Sequence, residues 1–364
     1  MARWRRITGV TSIAAGAVAA AMGAAVAAEK IAVGRIRLRP DPAAAEPLGQ
    51  LRGRELTVAA DDGVPLHAEI DGPQNAPVTV IFSHGYTLNQ DCWHYQRRDL
   101  GAADHAGRLV FWDQRSHGRS GRSDPGHENI DQLGRDLRAV IEAVAPRGAP
   151  VVLVGHSMGA TTIMALAGQH PELFGSQVTG VALICTSAGR PAEVTLGLPG
   201  PLGTVLRHAA PSVLRGAARG RRADFVERAR QAGGDLAFLF TRFIAFGDPS
   251  TSPTITDFVE QMIRATPVDV VARFFAALTE HEEIAALPTL GKVPTLIIAG
   301  GRDRLTPKSL SEEMAAEIPG AELVVDEGAG HLIMLEHPEL VTTELARLVE
   351  RAGACVGRRG ERSA

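Results

Sequence analysis

The stretch Val151-Val152-Leu153-Val154-Gly155-His156-Ser157-Met158-Gly159 decides how the chain is read. Its first four residues are apolar and mostly β-branched, the pattern of a short strand buried on both faces. A helical pattern follows at 160–167. Between the two, Gly-x-Ser-x-Gly has the spacing of a strand-to-helix elbow. The serine there must sit on a strained turn, so that its Oγ projects above the sheet. Side chains two residues to either side would collide, hence glycine at both. The helix opening at Met158 also aims N–H groups and partial positive charge at the reacting oxygen. Five residues match such a pattern often by chance. The strand before and the helix after give the match its weight.

Working outward, apolar runs bounded by Gly, Pro or Asp recur at 78–82, 109–112, 181–184, 295–299 and 323–325. Segments 55–60 and 65–70 flank Asp61-Asp62-Gly63, a turn signal, and read as a hairpin. A stripe of Ile130, Leu133, Leu137, Val140, Ile141 and Val144 predicts a helix, which Pro146 stops. Another is expected at 338–349. Strands alternating with helices predict an α/β fold, a mostly parallel sheet with helices on both faces. Between 189 and 286 the strand rhythm breaks, and helical patterns appear at 223–230, 256–264 and 268–281. This stretch is expected to be a helical cap over the carboxyl edge of the sheet. The core is then 54–188 together with 287–352.

A serine hydroxyl is a weak nucleophile near neutral pH and needs a base. Of the chain's 12 histidines, His331 ends Asp326-Glu327-Gly328-Ala329-Gly330-His331, a flexible loop after the run at 323–325. Such a loop can return an imidazole over the sheet edge. His337 precedes Pro338 and reads as a capping or surface residue. The base needs an orienting carboxylate. Asp303 follows the run at 295–299, where that strand's carboxyl end should emerge beside Ser157, the edge where open α/β sheets bind ligands. Asp326 is the fallback acid. An oxyanion needs backbone donors. The N–H of Met158 is one candidate, and the N–H of Tyr86, after Gly85 in Ser83-His84-Gly85-Tyr86-Thr87, is the other.

With these residues on the page, the chain resembles the α/β-hydrolase fold family, in its branch of serine esterases, lipases and cofactor-free haloperoxidase-like enzymes. The matching pieces are His84-Gly85, Asp113-Gln114-Arg115-Ser116-His117-Gly118-Arg119-Ser120, Gly155 to Gly159, Gly300 to Asp303 and Gly330-His331. They span roughly 54–350, and the cap matches in position only. The resemblance implies an eight-stranded, mostly parallel sheet with a helical lid, and the order Ser157, Asp303, His331 is the family's. Ser116 departs from a position where relatives often carry glycine. Ser157 stands where the epoxide hydrolases and haloalkane dehalogenases of this fold carry aspartate, which argues against those activities.

Composition narrows the partners. The net charge of -3 and the 4% aromatic content argue against nucleic acid. Cys92, Cys185 and Cys355 form no C-x-x-C pair, so neither zinc site nor disulfide framework is implied, and Cys185 reads as core. No organic cofactor or metal is expected. Arg3, Arg5 and Arg6 precede an uncharged stretch at 7–28, whose 22 residues would span a hydrocarbon layer of about 30 Å. It reads as a signal anchor or as a signal peptide cleaved after Val26-Ala27-Ala28, with its length favouring the anchor. Membrane association through 7–28, or export, is the expectation. Residues 30–53, with Pro40, Pro42 and Pro47, read as a linker, and 353–364 as a flexible tail.

The leading expectation is a serine hydrolase that cleaves an ester or related acyl bond of a moderately apolar small molecule. Carbon–carbon bond hydrolysis, lactonase and perhydrolase activities use the same three residues. A membrane-tethered binding protein with vestigial catalysis is the reading from a different class.

Overall fold

Each apolar run of the sequence forms a strand. The computed structural model describes residues 27–102, 107–189 and 234–362. Eight strands make one sheet: β1 (Arg54–Ala59), β2 (Pro65–Asp71), β3 (Thr79–Ser83), β4 (Arg108–Trp112), β5 (Val151–His156), β6 (Val178–Ile184), β7 (Thr295–Gly300) and β8 (Glu322–Asp326). Their order is β1-β2-β4-β3-β5-β6-β7-β8. The β1/β2 hairpin and the β2/β4 pair are antiparallel, and every pairing from β4 to β8 is parallel. Parallel strands of this kind need helical crossovers, which cover both faces.

Alternation along each strand divides the core into two layers. Val80, Phe82, Val152, Val154 and Ile298 face one side, where Leu100 of the helix His94–Ala102 and Leu345 and Leu348 of the helix Pro338–Arg362 cover them. Ile81, Leu153, Val181 and Ile297 face the other, against Leu137 and Ile141 of the helix Ile130–Val144 and Ile163 of the helix Met158–Gln169. Each fully buried Leu or Ile contributes about 1.5–3 kcal/mol. The helix Ile130–Val144 begins where expected because the Asn129 carboxamide oxygen accepts the Gln132 N–H at 2.9 Å.

The helix His94–Ala102 was not anticipated. Its buried face is mostly polar, with Leu100 its one buried leucine, so no apolar stripe announces it. Arg97 Nε and Nη2 donate to Asp71 at 2.6 and 3.0 Å, and Gln96 donates to the Met334 carbonyl at 3.1 Å.

Two terminal expectations are revised. The stretch read as a linker is helical over 27–37 and is held against the cap. Val33 and Ala43 are buried, Arg37 donates twice to Asp257 at 3.0 and 2.9 Å, and the Thr254 hydroxyl donates to Asp41 at 2.7 Å. Prolines signal extended backbone but say nothing of what it packs on. The tail read as flexible continues the helix Pro338–Arg362.

Three cap helices are described: Asp235–Ala245, Pro253–Ala265 and Val268–Glu280. Val270 and Phe274 of the last pack on Leu133 and Met158, and the Tyr86 hydroxyl donates to the Val271 carbonyl at 2.5 Å. The cap thus lies over the residue that follows Ser157. The expected helix at 223–230 and most of the uncharged N-terminal stretch, 7–26, lie outside the described residues. Among the described residues no helix is long and apolar enough to cross a membrane.

Candidate active site

Ser157 sits between β5 and the helix Met158–Gln169 with φ 51° and ψ -116°. That backbone costs an L residue about 1–3 kcal/mol and persists only where its surroundings enforce it. The enforcement is visible. Its N–H donates to the Ile184 carbonyl at 2.9 Å, and its carbonyl accepts from the Ala160 N–H at 2.9 Å and the Thr186 hydroxyl at 3.0 Å. A Cβ at Gly155 would stand 2.5 Å from the Gly159 carbonyl carbon. One at Gly159 would stand 2.1 Å from the Ser83 carbonyl oxygen. No side chain fits either gap, which is the steric reason read from the sequence.

Asp303 follows β7. Its Oδ1 accepts the N–H groups of Leu305 and Thr306 at 2.8 and 2.9 Å. Its Oδ2 accepts the Thr306 hydroxyl at 2.7 Å and faces His331 Nδ1 at 2.8 Å. Burial alone would raise this carboxyl, but the His331 charge and the hydrogen bonds from His331 and Thr306 outweigh it and hold it below the ordinary value. An ionised Asp303 fixes the His331 proton on Nδ1 and leaves the Nε2 lone pair free. Gly300 permits the approach, since a Cβ there would lie 2.3 Å from the Gly330 carbonyl oxygen.

Asp326 does not serve His331. Its carboxylate lies against His337 Nδ1 instead, in a short contact. His337 therefore has an acid of its own rather than a simple capping role. The two acids emerge from adjacent strands, and only the path of the loop between them decides which imidazole each meets.

The sequence reading gave His156 no role. The ring is buried, and its Nε2 lies 2.9 Å from the His331 carbonyl, so Nε2 carries the proton and donates. Burial, with the neighbouring His331 charge, pushes its pKa down to about 3, so it stays neutral. Gly85 lies against the other edge of that ring, where a Cβ would meet Nδ1 at 2.5 Å. Thus His156 packs between the loop carrying His331 and the loop carrying Tyr86. Nothing in its local sequence signals this, because its partner is 175 residues away.

The loop after β4 braces the same region. Gln114 donates from Nε2 to the His84 carbonyl at 2.6 Å and from its N–H to His84 Nε2 at 2.9 Å. Ser116 has φ 62°, the left-handed region that favours glycine. Its hydroxyl donates to Glu128 Oε1 at 2.6 Å and accepts the Ser123 N–H at 3.0 Å, contacts that glycine could not make.

Tyr86, Ser157, Met158 and His331 line one cavity of about 370 Å³, a size suited to a small molecule. Its cap wall is apolar, with Phe240, Ile244, Val259, Ile263 and Leu278. The structure thus gathers Tyr86, Ser157, Met158 and His331 around one pocket, with Asp303 directly behind His331, and leaves Asp326 and His337 outside it.

Comparison with known proteins agrees with this architecture. A model of the alpha/beta hydrolase family matches residues 80–344. The chain is 28% identical over 276 residues to AB hydrolase superfamily protein YisY of Bacillus subtilis, covering 74% of this chain and 90% of that protein. It is 26% identical over 297 residues to a non-heme haloperoxidase of Rhodococcus erythropolis, covering 80% and 98%. Among solved structures, a thermophilic esterase from Thermogutta terrifontis superposes with TM-score 0.62 at 24% identity, covering 82% of this chain and 99% of that one. The esterase RhEst1 from Rhodococcus sp. ECU1013 gives 0.65 at 20% identity, covering 81% and 98%. At these identities the structural likeness speaks for the fold. The family match over most of the chain, on an eight-stranded sheet with a serine elbow, makes this protein a member of the alpha/beta hydrolase family.

Proposed function

We propose that the chain is a serine hydrolase that cleaves an ester or related acyl bond of a moderately apolar small molecule through an acyl-enzyme. One observation carries the reading: the strained Ser157 and the Asp303-paired His331 open on the same apolar cavity. In this scheme His331 Nε2 takes the Ser157 proton as Oγ attacks the carbonyl carbon. Asp303 stabilises the imidazolium that forms. The N–H groups of Met158 and Tyr86 hold the oxyanion. His331 returns its proton to the leaving alcohol, and water then repeats the sequence to release the acid. The apolar cap wall supports an acyl or alcohol group of moderate size. A perhydrolase reading, in which hydrogen peroxide replaces water in the second half, is favoured by the similarity to proteins named non-heme haloperoxidases.

The test is covalent labelling with a fluorophosphonate probe, followed by assay on p-nitrophenyl esters of graded chain length. Wild-type protein is expected to label and Ser157→Ala is not, with kcat lower by about a millionfold. A wild-type protein that neither labels nor turns over would instead favour a tethered binding protein. Export or anchoring through 7–28 is a separate proposal that rests on the uncharged stretch alone. Sequencing the mature N-terminus decides it: an intact Met1 in a membrane fraction supports an anchor, and a start near Glu29 supports cleavage.

A further inference from the structure

Behind the reacting face, Asp303 and His331 share a donor set with a thiol that the hydrolytic scheme leaves unused. Cys185 follows β6, with a buried thiol and a backbone in the left-handed region (φ 47°). Its N–H donates to the Ile298 carbonyl at 2.8 Å, which fixes it beside β7. One donor from each of Cys185, Asp303 and His331 lies within 4.8 Å of the other two, and all three residues are more than nine-tenths buried. Because Asp303 Oδ2 faces Nδ1, the histidine donor on this side is Nδ1. Thiolate, carboxylate and imidazole together suit a borderline-soft divalent ion. Donors around one tetrahedral zinc stand roughly 3.5 Å apart, so side-chain shifts of about an ångström close this set. The second such grouping among the described residues, Glu55, His67 and Glu69, is different. There Arg97 and Arg119 already meet Glu69 at 2.7 and 2.6 Å.

We propose that Cys185, Asp303 and His331 form an inhibitory binding site for a thiophilic divalent cation, Zn²⁺ or Cd²⁺. Ion and catalytic base need opposite tautomers of His331. To bind the ion, Nδ1 must lose its proton, which moves to Nε2, and the lone pair that would deprotonate Ser157 is gone. Asp303 is drawn to the metal at the same time. The Cys185 thiol gives up its proton as the metal–sulfur bond forms, so one proton is released for each ion bound. Because a proton is released, binding strengthens as pH rises.

The experiment is a titration of the full-length protein with CdCl₂, read by the ultraviolet thiolate-to-cadmium charge-transfer band and, in parallel, by ester hydrolysis. Wild type is expected to gain a band worth one thiolate and to lose activity over the same concentrations, with Zn²⁺ displacing the band. In Cys185→Ala that band is absent, which separates this thiol from Cys92 and Cys355. Basal hydrolysis is retained, and inhibition needs at least roughly tenfold more metal, since even outer-shell partners are worth about 10–100-fold in affinity. Cys185→Ser keeps the side-chain volume and should behave the same way, which covers the case in which the alanine variant folds poorly. Equal bands, or equal inhibition, in wild type and both variants overturns the site. The inhibition arm rests on the hydrolase reading, but the absorbance arm does not. A band without turnover therefore leaves the metal site standing and sinks the hydrolase reading alone.

Discussion

Two histidine–aspartate pairs stand at the carboxyl ends of adjacent strands, and they differ in almost everything except composition. Asp303, after β7, faces His331 Nδ1 at 2.8 Å. Asp326, at the end of β8, meets His337 Nδ1. In the first pair the side chains are 0% and 8% exposed, and in the second 16% and 32%. The Asp303 carboxylate receives two backbone N–H groups and a threonine hydroxyl besides the imidazole, while Asp326 receives the Gly328 N–H at 2.8 Å. His331 lines the cavity beside Ser157, and His337 does not. A hydrogen-bonded pair is thus common chemistry. A pair that is buried, fully held and open on a serine hydroxyl has the arrangement that controlled proton transfer requires.

Replacing each acid by its amide is the severest test of that contrast. Asp303→Asn keeps the shape but removes the charge that fixes the tautomer and stabilises the imidazolium, and kcat is expected to fall about 10⁴-fold. Asp326→Asn should leave kcat within about twofold, since a partly exposed pair is worth little and this one lines no part of the cavity. Steady-state kinetics on one ester decides between them. Comparable losses in both variants would break the comparison.

The sequence distinguishes some of these features and is blind to others, for physical reasons. The strained turn at Ser157 could be read because the sterics that force it are local and written as two glycines. The strands of the parallel sheet are legible because both their faces are buried. Asp303 was ranked above Asp326 by position alone, and both remained open because each follows a strand. Which imidazole an acid meets depends on a loop path that no local pattern encodes. His156 went unread for the same reason, since its partner is the backbone of His331. The helix His94–Ala102 hid because its buried face is mostly polar, with His94, Gln96 and Arg97 beside Tyr95 and a single leucine, Leu100. The segment at 30–53 looked like a linker because Ser252, Thr254 and Asp257, its partners, are some two hundred residues away.

Acid pH extends the contrast to imidazoles that have no carboxylate. Burial pushes the pKa of His84 to about 4, and burial with neighbouring charge pushes those of His117 and His156 to about 3, all from 6.5. The unfolded chain therefore binds more protons than the folded one between pH 6.5 and about 4, and stability falls as pH drops through that window. Each such histidine is worth about 1.4 kcal/mol per pH unit. The three together should leave the fold roughly 5 kcal/mol less stable at pH 5 than at pH 7. Asp303 and Asp326 act in the same direction, in a lower pH window. Their pKa values lie below the ordinary 3.8, so their contribution is complete above that value and is lost only at lower pH. Denaturant titrations at the two pH values measure the sum. A flat profile would mean that the three rings are not held neutral, and His117→Gln should flatten the slope by about a third.

Within the buried pair, Thr306 is the support that the exposed pair lacks. Thr306→Val removes a hydroxyl from Asp303 Oδ2 while preserving volume. A hydrogen bond to a charged group is worth about 1.5–3 kcal/mol, so kcat should drop roughly tenfold or more. With one stabilising contact gone, the Asp303 pKa rises, and the acid limb of the pH–rate profile moves upward. A packing defect alone would lower the rate without moving that limb.

The smallest effect is expected at the outer pair, and its smallness is informative. His337→Ala removes the imidazole facing Asp326. A carboxylate partly open to water recovers much of its solvation, so the loss should stay below about 1 kcal/mol, and added salt should shrink it further. Asp326 retains the Gly328 N–H at 2.8 Å, so the turn after β8 keeps its anchor. Thermal unfolding of His337→Ala at low and high salt is the measurement. A loss of several kcal/mol that salt does not change would show that the Asp326–His337 contact holds the His331 loop in place. The outer pair would then belong to the positioning of the base, and the division drawn between the two pairs would have to be given up.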